Sequence, residues 1–495
     1  MVSTNKRPHI IIFNPDQWRS DVMGHMGNAA AVTPYLDQLT QTEAVSFRSA
    51  FCQNTVCTPS RCSFMSGWYP HVRGHRTMYH MMQPDEPVLL KTLKDAGYFV
   101  WWGGKNDLVP AENGYEAYCD VKYKPAKPPR RETNLHAHDV WRGEPEGDNY
   151  FSFYAGKLEK AEDEEAYYDG DWANVLGAID MIRNAPADQP LCIYLPLLYP
   201  HPPYGVEEPY FSMTDRAKLP PRIPAPEQWD DKPSLLKGIY EKQHLQGWTE
   251  DRWDELRATY YGMCSRVDRQ FEMVMDALRE AGMYDDSAVF FFSDHGDFTG
   301  DYGLVEKTQN TFEDCLSRVP FIIKPPKDVP VAPRVSEALV ELIDFPATVE
   351  ALLGLTPEHT HFGRSLLPVI AGETDEHRDA VFCEGGRLHG EEQCMEREST
   401  SVTSGAGLYW PRIQWQLQEG PEHSKAVMCR TKEYKYVRRM YEKDELYDLV
   451  RDPGETINRI ADPEYAGVLM ELKERLLTFY QETCDTVPHR PNKRM

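Results

Sequence analysis

The stretch "TEDRWDELRATYYGMCSRVDRQFEMVMDALREAGMYDDSAVFFFSDHGD", Thr249 to Asp297, decides the fold class. Trp253, Leu256, Tyr260, Met263, Val267, Phe271, Val274 and Leu278 recur at spacings of three and four, which predicts one long helix with an apolar face. Gly282 ends it, and the apolar run Ala288 to Phe292 supplies a strand that stops at Asp294. Working outward, "HIIIFN" (His9 to Asn14) reads as a buried parallel strand ending at Asp16. "TPYLDQLTQ" starts a helix with Thr33 as cap and Pro34 at its first position. Leu89, Leu93 and Ala96 mark another helix, which turns at Gly97 into a strand from Tyr98 to Trp102. "LCIYLPLLYPHPP" is a further buried strand running into prolines.

Strand and helix in alternation predict an α/β fold, a large mostly parallel sheet flanked by helices. After about Pro368 the character changes. "AVMCRTKEYKYVRR" reads as a hairpin, "DELYDLVRDPGE" as a strand and turn, and Tyr465 to Phe479 as an amphipathic helix, so a smaller C-terminal α+β unit is expected. The boundary is placed at residues 1–370 and 371–495. Two polar, proline-rich stretches interrupt the alternation, Lys122 to Asn149 and Glu207 to Pro233. Loops of that length cover a site or run over the surface, and the sequence leaves both readings open.

Composition narrows the function. The chain has 54 basic and 78 acidic residues and a formal net charge of −24, which argues against nucleic acid or an anionic membrane as partner. No apolar run approaches the ~20 residues of a membrane span, and no secretory leader is visible. The 11 cysteines show no CxxC pairing, which fits reduced thiols and a cytoplasmic location. An acidic surface favours a small anionic ligand, won by a local cluster of cations, over a polyanion.

In open α/β sheets ligands bind at the carboxyl ends of strands. Asp16, Lys105, Asp107, His201, Asp294 and His295 all follow predicted strands, so they are expected to share one rim. Asp16 and Asp294 are oxygen donors for a hard divalent cation; Gln17 could add a neutral oxygen and His295 a nitrogen, although Gln17 equally fits a surface amide. "NTVCTPSRCSFMSG", Asn54 to Gly67, places Pro59 in the first turn of a helix with Cys57 at its amino end. Backbone N–H groups there favour a tetrahedral anion, and Arg61 lies one turn on. A plain thiolate suits a hard cation poorly, which suggests that Cys57 does not function as cysteine.

The segment "CTPSRCSFMSGWYP" resembles the C-x-P-S-R signature of the type I sulfatases, in the alkaline phosphatase superfamily. "IIIFNPDQWRSDVMG" and "FFFSDHGDFTGDYGLVEK" resemble that family's two metal segments, "WWGGKNDL" its Gly-Lys-Trp-His segment, and "ELYDLVRDPGETINRIADPE" its C-terminal unit. The resemblance spans nearly the whole chain and implies an alkaline-phosphatase-like fold. It further implies that Cys57 is the precursor of Cα-formylglycine, made by a separate maturation enzyme, and that its hydrated aldehyde attacks the sulfur of a sulfate monoester. By position, Arg61 would stabilise the hydrated form, Lys105 and Lys307 would neutralise sulfate oxygens, and His201 would donate to the leaving oxygen or bind sulfate. Asp16, Gln17, Asp294 and His295 would hold the metal, with Ca2+ expected and Mn2+ the alternative because His295 adds an imidazole.

The family's commoner pairs are Asp-Asp and Asp-Asn, where this chain has Asp16-Gln17 and Asp294-His295. Similar pairs occur in the phosphonate monoester hydrolase branch, so a phosphonate monoester or phosphodiester hydrolase is the alternative enzyme. A non-catalytic anion-binding protein is the alternative if Cys57 is never converted. Asp107, where many members have histidine, could orient Lys105, and His75 and Arg76 could contact substrate. Trp101 and Trp102 are expected in the core and Cys62 as a packed thiol. Trp410 and Trp415 could line a sugar or aryl subsite or simply pack.

Overall fold

The computed structural model describes residues 7–127, 129, 141, 151–160, 167–402, 407 and 409–489. Eight strands build the main sheet: β1 (His9–Asp16), β2 (Val45–Phe51), β3 (Phe99–Trp102), β4 (Val121–Lys122), β6 (Leu191–Pro200), β8 (Ser287–Phe292), β9 (Phe321–Lys324) and β10 (Arg334–Glu341). Their order is β10-β2-β9-β8-β1-β6-β3-β4, and among them only β9 runs against its neighbours. A short pair, β5 (Tyr154–Lys157) and β7 (Tyr204–Val206), lies beside the site-bearing end of β6.

The central strands are apolar at consecutive positions because both faces are covered. Side chains alternate by residue: Ile11 and Phe13 join one buried cluster with Phe291 and Phe271, while Ile10 and Ile12 join another with Phe290 and Phe292. The first cluster takes the long helix, observed at Glu250–Glu280, together with the helix Gly170–Arg183. Trp101 and Trp102 fall into opposite clusters, and Cys62 is packed in the second.

The C-terminal strands β11 (Val381–Gly385), β12 (Ala426–Arg430), β13 (Tyr434–Arg439) and β14 (Glu445–Asp448) form an antiparallel sheet covered by the helix Ala466–Thr483. Its edge reaches the main unit at the loop before Cys57. Asn54 donates to the Glu384 carbonyl at 2.6 Å, and the Glu384 N–H bonds the Gln53 carbonyl at 2.9 Å.

Of the two interrupting loops, most of Lys122 to Asn149 lies outside the described residues. The second is stitched to the turn that leads to Lys307: Ile223 N–H donates to Asp301 at 2.9 Å, and Tyr302 N–H donates to the Ile223 carbonyl at 2.7 Å.

One local expectation changes. Thr33 precedes the helix Pro34–Thr42, but its side chain does not cap it; the hydroxyl accepts from Gly24 N–H and donates to Asp37. The cap comes from the long helix instead, where the Asp268 carboxylate accepts the N–H groups of Tyr35 and Leu36 at 3.1 and 2.9 Å. A local motif lost to a distant, buried carboxylate that satisfies two orphan donors at once. Asp268→Ala is therefore expected to cost about 1 kcal/mol of stability. Thr33→Ala should cost less, and urea unfolding midpoints of the two variants check the order.

Candidate active site

Asp16, Lys105, His201 and Asp294 emerge from β1, β3, β6 and β8, strands that are adjacent and parallel, so their carboxyl ends form one rim. Cys57 opens the helix Cys57–Ser66, which begins after β2 on the same rim. Two glycines let backbone approach closely here. A Cβ on Gly104, whose φ is +78°, would lie 2.0 Å from the Pro196 carbonyl oxygen, the same carbonyl that accepts from Lys105 N–H. A Cβ on Gly296 would lie 2.0 Å from the Cys315 carbonyl oxygen. Gln17 itself adopts φ 69°, a left-handed conformation that a non-glycine residue keeps only when surrounding contacts hold it.

Ligand atoms of Asp16, Cys57, Asp294 and His295, all buried, lie within 4.8 Å of one another. Cys57 Sγ stands 3.6 Å from Asp16 Oδ1, 3.3 Å from His295 Nε2 and 3.4 Å from Lys105 Nζ. Arg61 joins the two carboxylates, with Nη2 at 2.9 Å from Asp16 Oδ2 and Nε at 3.0 Å from Asp294 Oδ2. Lys105 Nζ pairs with Asp16 at 2.7 Å and with Asp107 at 2.8 Å, so Asp107 is bound to that lysine. Lys307 Nζ gives its protons to Gln17 Oε1 at 2.6 Å, to His201 Nε2 at 3.0 Å and to Glu306 at 2.8 Å.

The electrostatics follow from burial and these pairs. Burial would raise the Asp16 carboxyl, but Lys105, His201, Arg61 and His295 together hold it well below the usual carboxylate range. Burial, and then the adjacent Asp16 carboxylate, push the Cys57 thiol up to about 12. An unmodified Cys57 is thus a neutral thiol at pH 7 and a poor nucleophile. Burial followed by Lys307 holds His201 well below its ordinary range, and so neutral. Burial also lowers His295, which opposes a proton on the nitrogen facing the cluster.

This donor set fits a divalent cation. His295 Nδ1–H donates to the Gly296 carbonyl at 2.9 Å, which leaves the Nε2 lone pair turned to Asp16, Asp294 and position 57. Two carboxylates and an oriented imidazole suit such an ion, whereas the sulfur at position 57 is the soft member. Gln17 is differently engaged: its amide oxygen is held by Lys307 and its NH2 donates to Asp297 at 2.5 Å.

His75 and Arg76 are not brought into this group. His75 bonds the His80 carbonyl and pairs with Glu86, while Arg76 bonds the Gly386 carbonyl and Glu391; these carboxylates account for both side chains. Trp410 packs against the main core, and Trp415 sits against Gly238 with the Lys242 ammonium 5.1 Å from its ring.

Two residues that the sequence reading passed over do reach the site. Asp297 accepts from Gln17, Tyr204 and Thr299, and burial pushes its carboxyl up to about 6. Its place two residues after His295 was the available signal. Tyr409, immediately before Trp410, places its hydroxyl 3.1 Å from His201 Nε2. Nothing in its local sequence marks it.

The comparisons with known proteins agree with this geometry. Residues 8–355 match the family model described as Sulfatase. The chain belongs to the sulfatase family. It is therefore an enzyme of the sulfuric ester hydrolase class. A multifunctional alkaline phosphatase superfamily protein of Trinickia caryophylli is 26% identical, covering 98% of this chain and 97% of that protein. An arylsulfatase of Clostridium perfringens is 24% identical, covering 95% of this chain and 94% of that one. Among solved structures, a phosphonate monoester hydrolase of Agrobacterium radiobacter superimposes with TM-score 0.75 at 23% identity, covering 98% of this chain and all of that one; this likeness bears on the fold. Among the described residues no helix is long and apolar enough to cross a membrane.

The buried thiol carries a prediction. In protein made without maturation, Cys57, 1% exposed, should resist iodoacetamide at pH 8 under native conditions. Cys484, the exposed cysteine, should alkylate. Peptide mass spectrometry of the alkylated protein reads both sites.

Proposed function

We propose that this sulfatase hydrolyses a small sulfate monoester, a sulfated saccharide fragment or an aryl sulfate, to alcohol and inorganic sulfate, using Cα-formylglycine made from Cys57. The observation that supports this most is the position of Cys57 Sγ within bonding reach of Asp16, His295 and Lys105 at the amino end of its helix. Asp16, Asp294 and His295, with Gln17 as a further oxygen, are the residues that would hold a divalent ion, Ca2+ by preference and Mn2+ as the alternative. Such an ion supplies a Lewis acid that acidifies a bound hydroxyl. The hydrated aldehyde supplies an oxygen nucleophile that can later leave by C–O cleavage.

The chain's own residues then have distinct tasks. Arg61 keeps both carboxylates charged and oriented beside position 57. Lys105, held by Asp16 and Asp107, presents an ammonium to the sulfate oxygens. Lys307 does the same from the opposite wall, steered by Gln17, Glu306 and His201. Two cations aimed where negative charge builds up are expected to dominate the rate enhancement. The remaining partner is the maturation enzyme. The 11 free cysteines favour a reducing, cytoplasmic setting.

A second reading is a phosphonate monoester or phosphodiester hydrolase. The neutral Gln17 and His295, where the commoner pattern has Asp and Asn, favour it. Rates on 4-nitrophenyl sulfate, phenyl phosphonate ester and bis-phosphodiester, measured side by side, separate the two.

With protein co-expressed with a formylglycine-generating enzyme, Cys57→Ala should abolish sulfate ester turnover while its thermal unfolding is unchanged. Lys307→Ala should lose about 2.7–4 kcal/mol of transition-state stabilisation, on the order of 10²–10³ in kcat. Near-normal activity in the lysine variant would remove Lys307 from the reacting centre. An unmodified cysteine in the position-57 peptide of fully active protein would end the formylglycine reading.

A further inference from the structure

His201 occupies the place where a donor to the leaving oxygen is expected, yet its geometry gives it no proton to offer there. Its Nδ1 lies 2.6 Å from the Pro202 carbonyl oxygen, which can only accept, so Nδ1 carries the hydrogen of the neutral ring. Nε2 is then a lone pair, and two donors point at it: Lys307 Nζ at 3.0 Å and the Tyr409 hydroxyl at 3.1 Å. Lys307 spends its three N–H groups on Gln17, Glu306 and His201. Tyr409 has a single hydroxyl hydrogen, and it is only half-buried where His201 and Lys307 are buried, so it stands on the open side of the trio.

The surroundings suit a phenol that gives up its proton. The Lys307 ammonium is 5.7 Å and the Arg412 guanidinium 5.2 Å from the Tyr409 ring centroid, two cations that would stabilise a phenolate. Arg412 is itself buried, with Nε unpartnered. Both residues come from the C-terminal part of the chain, next to the tryptophans that the sequence had suggested for a subsite.

We propose that Tyr409, rather than His201, is the catalytic acid that protonates the leaving oxygen. The inference rests on the sulfatase reading above. As the oxygen nucleophile at position 57 bonds to sulfur, the bond from sulfur to the ester oxygen breaks and its electron pair stays on that oxygen. The Tyr409 O–H bond breaks in concert and its proton moves to the leaving oxygen. The phenolate left between Lys307 and Arg412 takes a proton back from water as the alcohol departs. His201 acts as the acceptor that aims the hydroxyl before substrate arrives.

The test is a series of substituted phenyl sulfates, from 4-nitrophenyl to 4-methoxyphenyl, assayed with matured wild type and Tyr409→Phe. A good leaving group needs no proton, so 4-nitrophenyl sulfate should lose less than about twofold in kcat/KM, whereas 4-methoxyphenyl sulfate should lose on the order of 10²-fold, the usual contribution of a general acid. The ratio between esters is independent of how much of the variant is folded, and Tyr409→Leu is read in the same way should the phenylalanine variant fail to accumulate. An equal loss on every ester, or none on any, overturns the assignment. Wild type that hydrolyses no sulfate in the series overturns the sulfatase reading instead.

Discussion

Two carboxylates at the ends of neighbouring strands, both removed from water, are the constraint on which this structure turns. Asp16 and Asp294 are fully buried at the tips of β1 and β8, and like charges so placed cannot both ionise without compensation. Arg61 supplies it by bonding one oxygen of each. Because Arg61 lies one turn after Cys57, the same bridge fixes the amino end of that helix over the strand tips. A buried ion pair of this kind adds little net stability, but removing one partner strands a charge and costs about 3–5 kcal/mol. The arrangement therefore makes the site and the local fold interdependent.

Around this bridge the cations form two groups. Lys105 stands beside Asp16 and is steadied by Asp107, while Lys307 is held across the pocket by Glu306 and by the Gln17 amide. Gln17 is in turn fixed by Asp297, which also takes the Tyr204 hydroxyl. A neutral amide at position 17 thus links the carboxylate side of the pocket to the lysine side. It also gives a physical reason for the departure from the family's commoner acidic pair: a second aspartate there would pair with Lys307 and compete with Glu306.

Much of this was legible in the sequence because the fold class makes position predictable. Apolar runs that stop at a polar residue gave Asp16, Asp294 and His295, and the parallel order of β8, β1, β6 and β3 brings such ends together. Pro59 marked the start of the Cys57 helix correctly. What could not be read were contacts made across the chain. The Pro34–Thr42 helix takes its cap from Asp268, over two hundred residues away, where local spacing pointed to Thr33. Tyr409 enters the pocket from a C-terminal turn that carries no periodic or motif signal, and the neighbouring tryptophans, larger and more conspicuous, pack elsewhere. His75 and Arg76 looked available because their acidic partners, Glu86 and Glu391, become neighbours only in the folded chain.

The central claim is that one ion and a ring of cations converge on position 57, and metal content joined to turnover tests it most directly. Matured protein, desalted and analysed by inductively coupled plasma mass spectrometry, should retain roughly one divalent ion per chain, with Asp16→Asn combined with Asp294→Asn losing both the ion and sulfate ester hydrolysis. Full hydrolysis by wild type that carries no divalent ion would contradict the account.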